Sequence, residues 1–158
     1  MLEIVFNNTI SERKYQKEFF EKIAKAALAA FGLSEKGIGL SINLVGTNRM
    51  RLLNQKHRRK NKPTDVLSFP LHKKADLEKQ FRAKTSVKKP RTVIIELGDI
   101  FICLPVIRQQ AEKENNLESL LCLLTVHSIL HLLGFDHEQS ASAELEMQKW
   151  QDKILNKL

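Results

Sequence analysis

Two cysteines in 158 residues are too few for a disulfide framework. Cys103 and Cys122 sit among apolar neighbours, which predicts buried, reduced thiols. No apolar run approaches the roughly 18 residues that a membrane span needs. The start, Met1-Leu2-Glu3-Ile4-Val5-Phe6, lacks the basic residues and cleavage site of a secretory leader. No internal repeat and no linker interrupts the chain. These absences exclude a membrane protein and a disulfide-stapled secreted module, and predict a cytoplasmic chain that forms one domain over residues 1–158. That length buries an ordinary core without staples.

Charge is present in excess but in one place. The formal net charge is +8, yet residues 56–91 carry 13 of the 26 Lys and Arg against three acids, a local balance of +10. The rest of the chain is close to neutral. A solvated face explains many basic runs, and a polyanionic partner is the alternative, since lysines and arginines that neutralise phosphates release counterions.

The chain alternates strand and helix patterns. Residues 2–6 read as a strand. Thr9 with Glu12 three residues on has the form of a capping box, so a helix should run from there to about Phe31, burying Tyr15, Phe19, Ile23, Ala27 and Phe31 and ending at Gly32. Ile38, Leu40, Ile42 and Leu44 alternate with Gly39, Ser41 and Asn43, the period of a half-buried strand. Thr47 can cap a short helix carrying Met50 and Leu53. Lys56 to Asp65 reads as a basic loop, and Val66 to Phe69 as a strand stopped by Pro70. Residues 71–91 have weak periodicity and predict a mobile basic loop with a helical turn near Leu77–Phe81. Thr92 to Leu104 reads as a strand bent at Gly98-Asp99. Pro105 suits the first turn of a helix to about Glu114, another helix begins near Leu117, and a last one starts at Ser140 or Ser142. In that last helix Met147, Trp150, Ile154 and Leu158 recur at spacings of three and four. The expected fold is α+β: a single small mixed β-sheet packed with about five helices, with a metal site at the end of a buried helix.

That metal site rests on His127, His131 and His137. The first two are four apart on an apolar helix and so share one face. Gly134 can end the helix in a left-handed turn that brings His137 back towards them. Three convergent imidazoles with a fourth position free are the form of a catalytic zinc site, so one zinc ion per chain is expected. Cys122 stands about 140° round the helix from His127 and is no ligand. The spacing approaches the HExxHxxGxxH layout of metal peptidases, but Ser128 occupies the place of the glutamate base. A serine cannot take a proton from metal-bound water near neutral pH, which favours another hydrolase. Beside such a site, the basic segment points to nucleic acid.

The residues His127-Ser-Ile-Leu-His131-Leu-Leu-Gly134-Phe-Asp136-His137 resemble the HGxLHLxGYDH signature of the YbeY-type bacterial endoribonucleases. Leu53-Asn54 with Arg58, Lys62 to Pro70, and Gly98-Asp99-Ile100 match further blocks of that family in the same order. Ser128 replaces its glycine and Phe135 its tyrosine. The resemblance implies a single-strand-specific metallo-endoribonuclease acting in 16S ribosomal RNA 3′-end maturation at the small subunit, and in ribosome quality control. It implies zinc ligands at His127, His131 and His137 and a functional arginine at Arg58, with RNA and not DNA as substrate. In the mechanism this suggests, Arg58 sits on the loop before Pro63 and faces developing phosphoryl charge. Asp136 either orients an imidazole or caps a turn. A non-catalytic RNA-binding assembly factor with a structural metal is the competing reading, and a metal-dependent peptidase a more distant one.

Overall fold

A computed structural model describes residues 1–34, 36–83, 93–113 and 116–158. Its elements in order are β1 (Leu2–Asn8), α1 (Lys17–Ala30), β2 (Ile38–Leu44), α2 (Thr47–Arg58), β3 (Val66–Pro70), α3 (Lys74–Arg82), β4 (Ile95–Ile102), α4 (Leu104–Glu112), α5 (Leu117–Leu132) and α6 (Ala141–Leu155). The four strands make one mixed sheet in the order β1-β2-β4-β3. β1, β2 and β4 are parallel, and β3 runs antiparallel on β4. The α+β expectation holds, with six helices among the described residues against about five expected.

The period of two in β2 does what it predicts. Ile38, Leu40, Ile42 and Leu44 are all buried and join the main core with Ile100, Ile102 and the apolar faces of α1 and α5. β4 bends at Gly98, where three steps from Glu96 to Asp99 oppose two from Gly39 to Ser41. Gly98 has φ +136°, and a Cβ there would collide with the Phe69 carbonyl of β3. Only glycine lets the two strands close at this point. A smaller apolar cluster (Val45, Met50, Leu53, Leu67 and Cys103) includes the buried apolar residues of α2.

α5 is apolar on nearly every side because it is surrounded. It packs on β3, β4, α1, α4 and α6, and Leu121, Val126, Ile129, Leu130 and Leu132 are fully buried. A helix enclosed this way needs no polar face. Asn116 caps it, its side chain accepting from Ser119 N, and Ser140 caps α6 in the same manner.

Several expectations are corrected. α1 begins at Lys17 and not after Thr9. The Asn8 amide donates to Glu12 O at 2.7 Å and accepts from Glu12 N at 3.0 Å, which folds residues 9–16 into a loop. Thr9 Oγ1 donates to Leu44 O, prolonging the β1–β2 pairing. The buried face of α1 is therefore Phe20, Ile23, Ala24, Ala27 and Leu28, with Phe19 and Phe31 only half-buried. Gly46, not Thr47, caps α2. α2 continues through Arg58 and ends at Arg59 in the left-handed conformation, so Arg58 is helical and not on a loop. Lys56, His57 and Arg58 fill its last turn, where cations suit the carbonyl end. β3 includes Pro70. The expected loop at 71–91 contains a nine-residue helix, α3, anchored by the fully buried Leu77; residues 84–92 lie outside the described residues. Both cysteines are free, Cys103 buried and Cys122 half-buried, and burial pushes both thiols up.

Candidate metal centre

His127 and His131 stand one turn apart near the end of α5, and the turn after it returns His137 to them. Gly134 makes that turn with φ +92°, while Gly134 N donates to His131 O and Phe135 N to Leu130 O, each at 3.0 Å. These bonds satisfy carbonyls that the helix end leaves open. One ligand nitrogen from each of the three rings lies within 4.8 Å of the other two. His127 Nε2 and His131 Nε2 are 3.1 Å apart. Tetrahedral zinc with bonds of roughly 2.0–2.1 Å holds its nitrogens about 3.3 Å apart, so this spacing suits such an ion.

Protonation suits it as well. Burial, and then His127 and His137, push the imidazolium of His131 down to about 4. Burial also lowers His127, against the hydrogen bond it makes to Gln151 and the charge of Asp65. Neutral imidazoles offer lone pairs, as a metal requires. His127 Nδ1 lies 3.2 Å from Gln151 Oε1. An amide oxygen only accepts, so the proton sits on Nδ1 and the Nε2 lone pair faces the other histidines. His137 Nδ1 is buried without a partner among the described residues. Three convergent rings, two of them pushed towards the neutral form, one already fixed in tautomer and one with a nitrogen left unsatisfied by protein, fit a resident cation.

The histidines line a cleft of about 720 Å³. One wall is α5 with the turn after it; another is the end of α2 and β3, including Arg58, Asp65 and Ser68; His72, Lys73 and Lys74 before and in α3 form the third. Arg58 is exposed in this cleft and forms no ion pair among the described residues. Arg59 is not part of it, although the two are neighbours in sequence. Buried Asn54 holds the end of α2 in place, its amide donating to Lys62 O at 2.7 Å. Asp136 acts as the turn residue, accepting from Glu138 N at 3.0 Å. Ser128 is fully buried in the core with no partner for its hydroxyl among the described residues, so the glutamate position of the metal peptidases faces away from the cleft.

Gln151, Lys73 and Lys74 were not singled out by the sequence, and no spacing in it would have done so. Asp65 and Ser68 stood in the second family block without a role.

Known proteins resemble this chain. The family model described as Endoribonuclease YbeY matches residues 5–158. The Endoribonuclease YbeY of Aquifex aeolicus strain VF5 is 35% identical over 150 residues, covering 94% of this chain and 88% of that protein. That of a Sulfurihydrogenibium species is 36% identical over 156 residues, covering 98% and 91%. A Thermotoga maritima protein solved in solution superposes with a TM-score of 0.58 at 21% identity over 99% of this chain and 91% of its own, a likeness of fold. With its family model matched nearly end to end and relatives above 30% identity along most of their length, the chain belongs to the endoribonuclease YbeY family.

Proposed function

We propose that the chain is a zinc-dependent endoribonuclease, cutting single-stranded RNA as one cytoplasmic domain over residues 1–158. Its substrate is ribosomal RNA of the small subunit, at the 3′ end of the 16S molecule, and it serves ribosome quality control. DNA is not a substrate, and one zinc ion per chain is held by His127, His131 and His137. The observation that carries this reading is the convergence of three histidines in a cleft with basic residues on two of its walls. Family membership supports the endoribonuclease activity, and the resemblance of the motifs supports the ribosomal role.

When bound, zinc supplies Lewis acidity and makes a water acidic enough to lose its proton near neutral pH. The protein's own residues do the rest. Arg58 presents a planar fork of donors to the non-bridging oxygens of the phosphate as charge builds on them. Lys73 and Lys74 draw the RNA backbone in by releasing its counterions. Gln151 holds His127 in the tautomer that binds. A peptidase reading has no base at position 128, since Ser128 is buried in the core.

The test is a metal analysis of purified protein followed by cleavage assays on single-stranded and duplex RNA, with a chelator control. Zinc near one per chain and cleavage of the single strand alone are expected. His131→Ala should abolish both. RNA that binds but is never cut, under any metal or pH, would replace this reading with that of a non-catalytic assembly factor.

A further inference from the structure

A phosphodiester hydrolase must take a proton from its nucleophile, and the histidine helix offers no group for this. The residue after the first histidine, where metal peptidases of related spacing carry a glutamate, is the buried Ser128. A base must come from another element. Three carboxylates line the cleft: Asp65, Asp136 and Glu138. Glu138 is exposed, on the turn just beyond His137. Asp136 spends an oxygen on that turn, accepting from Glu138 N.

Asp65 is placed differently. It precedes β3, on the wall that also carries Arg58. Its backbone oxygen accepts from Cys103 N at 2.8 Å, which fixes the main chain to the start of α4. Its Oδ1 accepts from Val66 N at 2.7 Å, which fixes the side chain. Oδ2 has only a long contact of 3.4 Å to the exposed Gln110. No cation pairs with the carboxylate among the described residues. The carboxylate is thus held at Oδ1 by the main chain, while Oδ2 has only the long Gln110 contact, on the wall beside the proposed phosphate clamp.

We infer that Asp65 is the catalytic proton acceptor of this nuclease, drawing the proton from the water that attacks phosphorus. The inference rests on the nuclease reading above. The water oxygen forms the new P–O bond as its proton passes to the Asp65 carboxylate. The P–O bond to the departing nucleoside then breaks, and that oxygen takes up the proton held by Asp65. Two strand ends result, with no other reactant needed. Arg58 and Asp65 then divide the work, one meeting the developing negative charge and the other removing the proton.

Asp65→Asn tests this, because asparagine keeps the oxygen that Val66 N needs and loses only the basicity. The variant, wild type and Asp65→Ala are compared for single-turnover cleavage of single-stranded RNA across pH, RNA affinity, zinc content and melting temperature. The inference expects Asp65→Asn to lose roughly 10²- to 10⁴-fold in kcat, the range of a positioned general base. Its RNA affinity, zinc content and melting temperature should match wild type. Asp65→Ala should be as slow and also less stable. Wild-type turnover by Asp65→Asn overturns the inference. So does loss of zinc or of melting temperature in Asp65→Asn, which would make the carboxylate structural. Inactive wild type fails the nuclease reading itself, an outcome told apart by that arm alone.

Discussion

Gln151 and His127 meet across two helices, Oε1 to Nδ1 at 3.2 Å, and tie α6 to the histidine cluster on α5. The contact fixes a tautomer as well as a position. Replacing Gln151 with leucine leaves His127 free to rotate and to carry its proton on either nitrogen. We expect Gln151→Leu to weaken zinc affinity by about 10- to 100-fold, the usual consequence of losing a ligand's outer hydrogen bond. Competition with a chromogenic chelator measures this directly. The melting temperature of metal-free protein should stay near that of wild type, because residue 151 is only half-buried. A lowered metal-free melting temperature with normal zinc affinity would give Gln151 a packing role instead.

The turn that returns His137 depends on Gly134. A Cβ at this position would stand 2.6 Å from Lys74 Cβ and 2.8 Å from Lys74 Cα, on a backbone with φ +92°. Lys74 cannot retreat easily: its Nζ lies 4.2 Å over the Phe135 ring, and it also begins α3. Gly134→Ala should cost roughly 1–3 kcal/mol from the backbone alone, and more if α3 must shift. Urea denaturation of the metal-free variant reads that loss. Zinc affinity should fall too, since His137 is carried by the same turn.

The histidine triad was legible because it is local. A four-residue spacing on a helix, a glycine and a short return are all fixed by neighbouring residues. The alternation of β2 and the bend at Gly98 were legible for the same reason. The start of α1 was misread because Thr9 and Glu12 have the letters of a capping box, while the Asn8 amide captures both backbone groups of Glu12 first. Arg58 reads as a loop residue because its neighbours are basic and polar, yet Met50, Leu53 and Asn54 bury one face and keep the helix going to it. Only a helical turn near Leu77–Phe81 is legible of the nine-residue α3, because Leu77 alone is buried there, and one apolar anchor makes no period. Gln151 reaches His127 by the packing of α6 on α5, and Asp65 reaches the cleft by the pairing of β3 on β4. No repeat in the sequence encodes such meetings.

Stability of the metal-free protein should depend on pH through the histidines. His131 is pushed down to about 4 in the folded chain, and His127 is lowered as well, whereas an unfolded histidine titrates near 6.5. Between these values the unfolded chain binds protons that the folded chain refuses, so stability falls as pH drops from about 6.5 towards 4. Below that window the folded ring is protonated too, and this contribution stops changing. Melting temperatures of metal-free wild type and His131→Gln, followed from pH 7 to 4, isolate the effect. The wild type should lose more across the window; equal slopes would mean that burial does not hold His131 neutral.

Arg58 and Lys73 share the cleft, but their chemistry separates them. A lysine that attracts the backbone contributes to binding, and its loss weakens affinity and flattens the salt dependence. An arginine facing developing charge acts in the transition state, so its loss lowers kcat with little change in KM. Arg58→Ala should therefore lose on the order of 10²-fold or more in kcat, the scale of one transition-state donor. Lys73→Ala should mainly raise KM, and more so at low salt, where its attraction is least screened. Arg59→Ala should do neither, because Arg59 ends α2 in the left-handed conformation and is not among the residues that line the cleft. Zinc content should be unchanged in all three, since none is a ligand. Single-turnover rates at saturating RNA decide the matter. If Arg58→Ala cuts as fast as wild type once RNA saturates, Arg58 is a second phosphate anchor, and the charge that builds on phosphorus must be met from another wall of the cleft.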